Sequence, residues 1–356
     1  MLHSLTLQAG KSAFARIKEE GLRPEMVKVV AGAAGGPKWL ILYHLDRLLF
    51  GKWFADRTEP LFLFGASSGA WRFSSLAQNK PEDAIDRFRH SYIHQHFSQK
   101  PTAAEITNKS IAVVDYVLGS SGVKEVLNHP FLRLSMMTVR SRSLVKYDAK
   151  PLLGAGLAGS FTVNVISRSS LKYFYHRAMF YDNRDKPPFF SMNDFPISRI
   201  ELTVENFKKA LLASGSIPYV MQGVKNIPGA PPGIYRDGGI IDYHPDIPFV
   251  NDDSIVLYPH YTDFIKPGWF DKKLSWRKPN PKNMENVLLV SPSKEFLAKL
   301  PYQKIPDRND FYTFTNRGKE RIDYWNKCVD ASKQMAEEFL EAVESGKIRE
   351  LVRVMD

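Results

Sequence analysis

Residues 61–70 read Leu-Phe-Leu-Phe-Gly-Ala-Ser-Ser-Gly-Ala and continue as Trp71-Arg72-Phe73-Ser74-Ser75-Leu76-Ala77. Four apolar residues lead into Gly65 as a short buried strand, and a helix-compatible run leads out from Ala70. The spacing Gly65-x-Ser67-x-Gly69 between them is that of a nucleophile elbow. A serine at the tip of such a strand-to-helix turn sits in strained backbone, and its neighbours must lack bulk for the chain to fold back. The turn lifts the hydroxyl clear of the sheet, and the helix that follows aims its first amides at an oxyanion formed there. Ser67 therefore reads as a nucleophile. A plain helix N-cap at Ser67 or Ser68 would use the same residues, but the strand before and the helix after favour the elbow.

The chain around this turn is 356 residues long, 44% hydrophobic and 24% charged, which suits a soluble globular protein with a large core. Met1 to Glu20 holds no apolar signal segment, and no apolar run is long enough to cross a bilayer. A single cysteine, Cys328, excludes an internal disulfide and a cysteine-based zinc site. A cytoplasmic location is the expectation. Lys and Arg number 49 against 38 Asp and Glu, a formal net charge of +11 that favours approach to polyanions, nucleic acid or anionic headgroups, or simply confers solubility.

Before the elbow, residues 11–20 have amphipathic helical spacing, and Met26-Val27-Lys28-Val29-Val30 reads as a strand running into Ala31-Gly32-Ala33-Ala34-Gly35-Gly36-Pro37-Lys38. Pro37 suits the first turn of a helix through Trp39–Leu45. The glycines do not fall as Gly-x-Gly-x-x-Gly, and Lys38 is followed by Trp39 rather than Ser or Thr, so neither a dinucleotide fingerprint nor a phosphate loop fits. Consecutive glycines leave amides uncovered and suit an oxyanion hole facing Ser67. A tight turn that needs glycine is the plainer alternative.

Further on, the charged segment from Pro81 to about Lys100 reads as helical. His90 and His94 share one face of it, without the glutamate or third ligand of a metal site. Leu132–Val139 and Phe161–Ile166 read as strands around the glycine-rich 152–159. The aromatic and basic run Leu171–Tyr181 suits a half-buried element, or a surface meeting lipid or nucleic acid. Residues 203–213 read as a helix leading into Ala213-Ser214-Gly215-Ser216-Ile217-Pro218. Gly233–Asp242 reads as strand, Asp237-Gly238-Gly239 turn, strand. Strands are expected at 254–258 and 287–290, and helical spacing from about Lys319 to Val343.

The glycine loop Gly35-Gly36-Pro37-Lys38, the elbow Gly65-Ala66-Ser67-Ser68-Gly69, the loop Ala213-Ser214-Gly215-Ser216-Ile217-Pro218 and the turn Asp237-Gly238-Gly239 occur in the order that marks the patatin-like phospholipases. The chain resembles that family over residues ~26–245. The resemblance implies an α/β fold, a three-layer α/β/α sandwich with a mostly parallel central sheet. It implies one acyl hydrolase domain over 1–356, with an insertion and lid in 85–205 and a C-terminal helical extension over 318–346. Ser67 would be the acyl-accepting nucleophile and Asp237 its partner in a dyad without histidine. Gly35, Gly36, Pro37 and Lys38 would form the oxyanion loop, and Gly65 and Gly69 the elbow. Neither a cofactor nor a metal is required, and the substrates would be acyl esters of phospholipids and related lipids. Where the family carries a third glycine and a glycine after the basic residue, this chain has Ala34 and Trp39, and Trp39 is expected to narrow or reshape the acyl site.

Chemically, a serine hydroxyl needs a base within hydrogen-bond reach. If Asp237 is that base, burial must raise its pKa above the ordinary value of about 3.9 without neutralising it. An α/β-hydrolase triad is the enzymatic alternative, since His244 and His260 follow Asp237 in the order Ser, Asp, His. A non-catalytic protein binding anionic lipid through its basic and aromatic surface is the other. The sequence thus reads as a serine lipid acyl hydrolase in peripheral contact with an anionic membrane surface, with no nucleic acid partner.

Overall fold

The computed structural model describes residues 3–355. Eleven strands among them form one mixed sheet: β1 (Leu5–Ala9), β2 (Val27–Gly32), β3 (Leu61–Ala66), β4 (Leu132–Ser141), β5 (Tyr175–Tyr181), β6 (Ile197–Glu201), β7 (Val224–Lys225), β8 (Ile234–Asp237), β9 (Ile255–Pro259), β10 (Val287–Pro292) and β11 (Arg353–Val354). The path runs β11-β1-β10-β9-β2-β3-β4-β5-β6. Its centre, β10-β9-β2-β3-β4, is parallel throughout. β3, β9 and β10 are short, mainly apolar runs with every residue buried, as a parallel sheet covered on both faces demands. Helices cover both faces, giving a three-layer α/β/α fold.

Two features of the register build the site. Gly32, the last residue of β2, pairs with Gly65, the penultimate residue of the neighbouring parallel strand β3, so the loops that follow them leave the sheet side by side. β8 then lies on the same edge of β4 as β3, beyond the end of β3 and running against it. Ala66, the last residue of β3, pairs with Met137, and Asp237, the last of β8, pairs with the next residue, Thr138. The two strands therefore meet end to end, which brings residues far apart in sequence together.

Several local expectations change. The segment 161–166 is not a strand: with the glycine-rich residues before it, it forms one helix, Lys150–Ile166, whose inward residues Leu153, Gly156, Leu157, Ser160 and Asn164 recur at helical spacing. They cover a small apolar cluster beside the main core, so packing overrides the β-branched composition. Asp237-Gly238-Gly239 does not turn a hairpin. β8 pairs with β7 before it, and Gly238–Ile240 is a single 3₁₀ turn whose Gly239 amide is capped by the Asp237 side chain. The aromatic run 171–181 divides into a turn over Arg168–Tyr173 and the strand β5, whose Tyr175 and Ala178 to Phe180 are buried; of its tyrosines, Tyr173 stays well exposed. Pro37 opens a 3₁₀ turn, Gly36–Leu42, that becomes α-helical only at Tyr43. Residues 85–205 contribute β4, β5 and β6 to the sheet itself. The tail forms two helices, Gly318–Ala331 and Lys333–Glu344. His90 and His94 share a helix face as their spacing predicts, their rings stacked 4.3 Å apart.

Candidate active site

At the end of β3 the chain reverses into the helix Ser68–Leu76, and Ser67 takes φ 52° and ψ −124° at the turn. A non-glycine residue there is strained, and it persists only when its surroundings hold it. Three contacts do so. The Ser67 amide donates to Ser214 Oγ at 2.9 Å, Ser214 donates in turn to the Met137 carbonyl at 2.7 Å, and Ser67 Oγ donates to Asp237 Oδ2 at 2.8 Å. The flanking glycines are a matter of contact: a Cβ on Gly65 would lie 2.6 Å from the Ala70 nitrogen, and one on Gly69 would collide with the Gly32 carbonyl. That second contact lets the helix lie directly on the end of β2.

Asp237 is 7% exposed. Its second oxygen, Oδ1, accepts the Gly239 amide at 2.7 Å, which fixes the carboxyl plane and leaves Oδ2 for Ser67. Burial pushes its pKa up to about 6, partly opposed by the hydrogen bonds from Ser67 and Gly239 and by the positive charges of Arg308 and Lys272. Such a carboxyl is ionised at neutral pH yet basic enough to take a proton. Ser67 and Asp237 are thus brought together as a hydrogen-bonded pair.

Gly35 and Gly36 stand on the wall beside Ser67, Gly36 with φ 58°. Among the described residues no acceptor takes the amide hydrogen of either. The Ser68 amide, first of its helix, is in the same position. Pro37 has no N–H, so it shapes this loop and donates nothing. The Lys38 ammonium stands 4.9 Å above the Tyr261 ring. Trp39 lies one layer behind the wall, 1% exposed and stacked on Phe88 at 4.4 Å, so it reshapes the site by fixing Phe88 and not by entering it.

Ser67 lies where two cavities meet. The first, about 320 Å³, has an apolar side of Trp71, Phe88, Ile106, Ile217, Val220 and Met221 and a polar side that includes Gln95, His96, Gln99, Asn316 and Arg321. The second, about 270 Å³, holds Asp237, Gly35 and the three cations Lys38, Lys272 and Arg308, and Arg308 borders both. Asp307 on the same wall is ion-paired to Lys304 at 3.0 Å instead of to any of them.

The two histidines do not join this pair. His244 Nε2 bonds the Tyr261 hydroxyl at 2.8 Å and its Nδ1 accepts the Lys266 amide at 2.9 Å; His260 Nδ1 is engaged with Thr262. Burial holds His260 down at about 3 and His244 well below its ordinary value, so both rings are neutral. Sequence reading missed Ser214 as the anchor of the Ser67 amide and missed Lys272 and Arg308 altogether. Ser214 lay in a recognisable loop of small residues, whereas nothing local distinguishes Lys272 or Arg308 from any other surface cation.

No family model matches this chain, and no curated protein matches it. Among solved structures it is similar to VipD from Legionella pneumophila, with a TM-score of 0.33 and 13% identity over 68% of this chain. The match spans 51% of the VipD chain, about half its length.

Proposed function

We propose that this protein is a serine lipid acyl hydrolase of the patatin-like kind, acting as a phospholipase A or lysophospholipase through a Ser67–Asp237 dyad. The observation that carries the reading is the 2.8 Å bond from Ser67 Oγ, at a strained strand-to-helix turn, to a carboxylate held near neutral-pH basicity. Ser67 Oγ attacks the ester carbonyl as Asp237 Oδ2 takes its proton. The amides of Gly35, Gly36 and Ser68 receive the oxyanion. Collapse expels the alcohol, which regains the proton from Asp237, and leaves an acyl group on Ser67. Asp237 then deprotonates a water that attacks this ester, and the second collapse frees the acid and restores the serine. The apolar side of the first cavity suits the acyl chain, and the cationic second cavity suits an anionic leaving group. The reaction belongs at an anionic membrane surface, with the protein as a peripheral, cytoplasmic partner. It calls for no cofactor.

Hydrolysis of p-nitrophenyl esters from short to long acyl chains tests this directly. Turnover that improves with chain length is expected; a folded protein inert across the series contradicts it. The rate should rise with pH through about 6 and level off above, because the base must be ionised. A profile flat from pH 5 to 8 would remove Asp237 from that role. For stability the sign is opposite. The folded pKa lies above the ordinary 3.8, so this group's contribution is fully present below that value and is lost as pH rises through about 6.

The histidine triad is separable from the dyad. His244→Gln is expected to keep turnover within about tenfold of wild type. Near-complete loss in a folded variant would restore the triad.

A further inference from the structure

The helix Lys150–Ile166 carries no charged side chain after Lys150. Its inner face is buried on the small cluster, which leaves Leu152, Phe161, Val165 and Ile166 pointing outward, Ile166 with 83% of its surface exposed. An ordinary surface helix places charges there. The segments packed against its sides extend the pattern: Leu144, Tyr147 and Tyr173 are also exposed. Lys146 stands over the Tyr147 ring at 5.0 Å and Lys172 over the Tyr173 ring at 5.4 Å. Arg142 and Lys150 complete a basic rim, and the one carboxylate within 142–172, Asp148, is held by the buried Arg236 at 2.5 Å. An apolar ridge edged by aromatic rings and long cations is what the boundary between headgroups and acyl chains accommodates.

The position of this ridge gives it a purpose. At one end Tyr219 donates to the Lys150 carbonyl at 2.9 Å, and Tyr219 follows Ile217 and Pro218, which line the cavities at Ser67. Near the other end Asn164 donates to Asp271 at 2.8 Å, beside Lys272 in the wall of the cationic cavity. Among the described residues no helix is long and apolar enough to cross a membrane, so contact by this helix is lateral.

We propose that the outer face of helix Lys150–Ile166, with the rim of Tyr147, Tyr173, Lys146 and Lys172, seats the protein on an anionic lipid bilayer. The helix lies in the interfacial plane, its apolar side chains reach the acyl boundary, and the cations meet lipid phosphates. This placement seats two wall segments of the Ser67 site, bonded to the helix through Lys150 and Asn164, close to the surface that would hold its substrate. That last point rests on the lipid hydrolase reading, whereas the docking does not.

Cosedimentation with vesicles tests it, using phosphatidylcholine alone and phosphatidylcholine mixed with phosphatidylglycerol. Wild type is expected to bind the mixed vesicles, less strongly as salt is raised. Phe161→Ser with Ile166→Ser should weaken binding about tenfold or more, and Lys146→Gln and Lys172→Gln about fivefold each. All four substitutions should leave hydrolysis of a soluble short-chain ester unchanged, which shows the variants are folded. Equal binding by wild type and the Phe161→Ser, Ile166→Ser variant overturns the proposal. So does a wild type that ignores vesicles and forms a dimer which that variant dissociates. A protein that binds vesicles through this face yet cleaves no ester would retain the docking and refute the hydrolase.

Discussion

Ser67→Ala is expected to lower kcat/KM on p-nitrophenyl esters by at least about a thousandfold, and Asp237→Asn by a similar factor. Among the described residues the Ser67 hydroxyl has one side-chain partner, Asp237, and neither His244 nor His260 bonds to it. On the proposed mechanism, removing either group stops the same step, and the double variant should be no worse than either single one. Circular dichroism should show all three folded, because the turn is also held by the Ser214 bond to the Ser67 amide. Ser67→Gly sharpens the test. Glycine accepts a φ of 52° without strain, so this variant should be inactive yet more stable than Ser67→Ala by about 1 kcal/mol. Glycine more stable than alanine at this one position would show that the turn strains any residue with a Cβ, Ser67 included. A Ser67→Ala protein that keeps its activity would end the account.

The second large effect concerns the helix that carries Ser67. Arg72 sits within it, buried, and its Nε and Nη2 donate to the two oxygens of buried Asp46 at 2.7 and 2.5 Å. Asp46→Ala leaves a guanidinium out of water without its partner, which should cost about 3–5 kcal/mol in denaturant unfolding. Replacing both, Asp46→Leu with Arg72→Met, should be markedly less harmful, since the unpaired charge is the main cost. If the single and double variants are equally destabilised, packing and not charge is what this pair contributes. Gly69→Ala ranks next, because its methyl group meets the Gly32 carbonyl.

The elbow was legible because its signal is local: strand, small residues and helix fall within one short stretch, and each residue has its own reason to be there. The central strands were legible as apolar runs between glycine loops. Asp237 was legible as a residue but not in its setting. The Asp-Gly-Gly sequence favours a hairpin, and only the meeting of β3 and β8 along β4 turns it into the partner of Ser67. Helix Lys150–Ile166 was misread because Phe161 to Ile166 favours a strand, while a cluster built from β4, β5 and distant loops favours a helix with Leu153 and Leu157 inward. Lys272 and Arg308 could not be read at all. Their significance lies in facing the same cavity as Asp237, a property of the fold and not of any segment. Trp39 is expected from its position to narrow or reshape the acyl site, and the structure places it behind the wall of that site, stacked on Phe88.

The most direct test of the Ser67–Asp237 account is to trap the acyl-enzyme. Wild type and Asp237→Asn protein would each be mixed with a p-nitrophenyl ester, quenched in acid and digested for mass spectrometry. The account predicts the acyl mass on the peptide that contains Ser67 in wild type, and little or none in Asp237→Asn. Acylation of a different residue, or turnover with unmodified Ser67 under conditions that trap such intermediates, would contradict it.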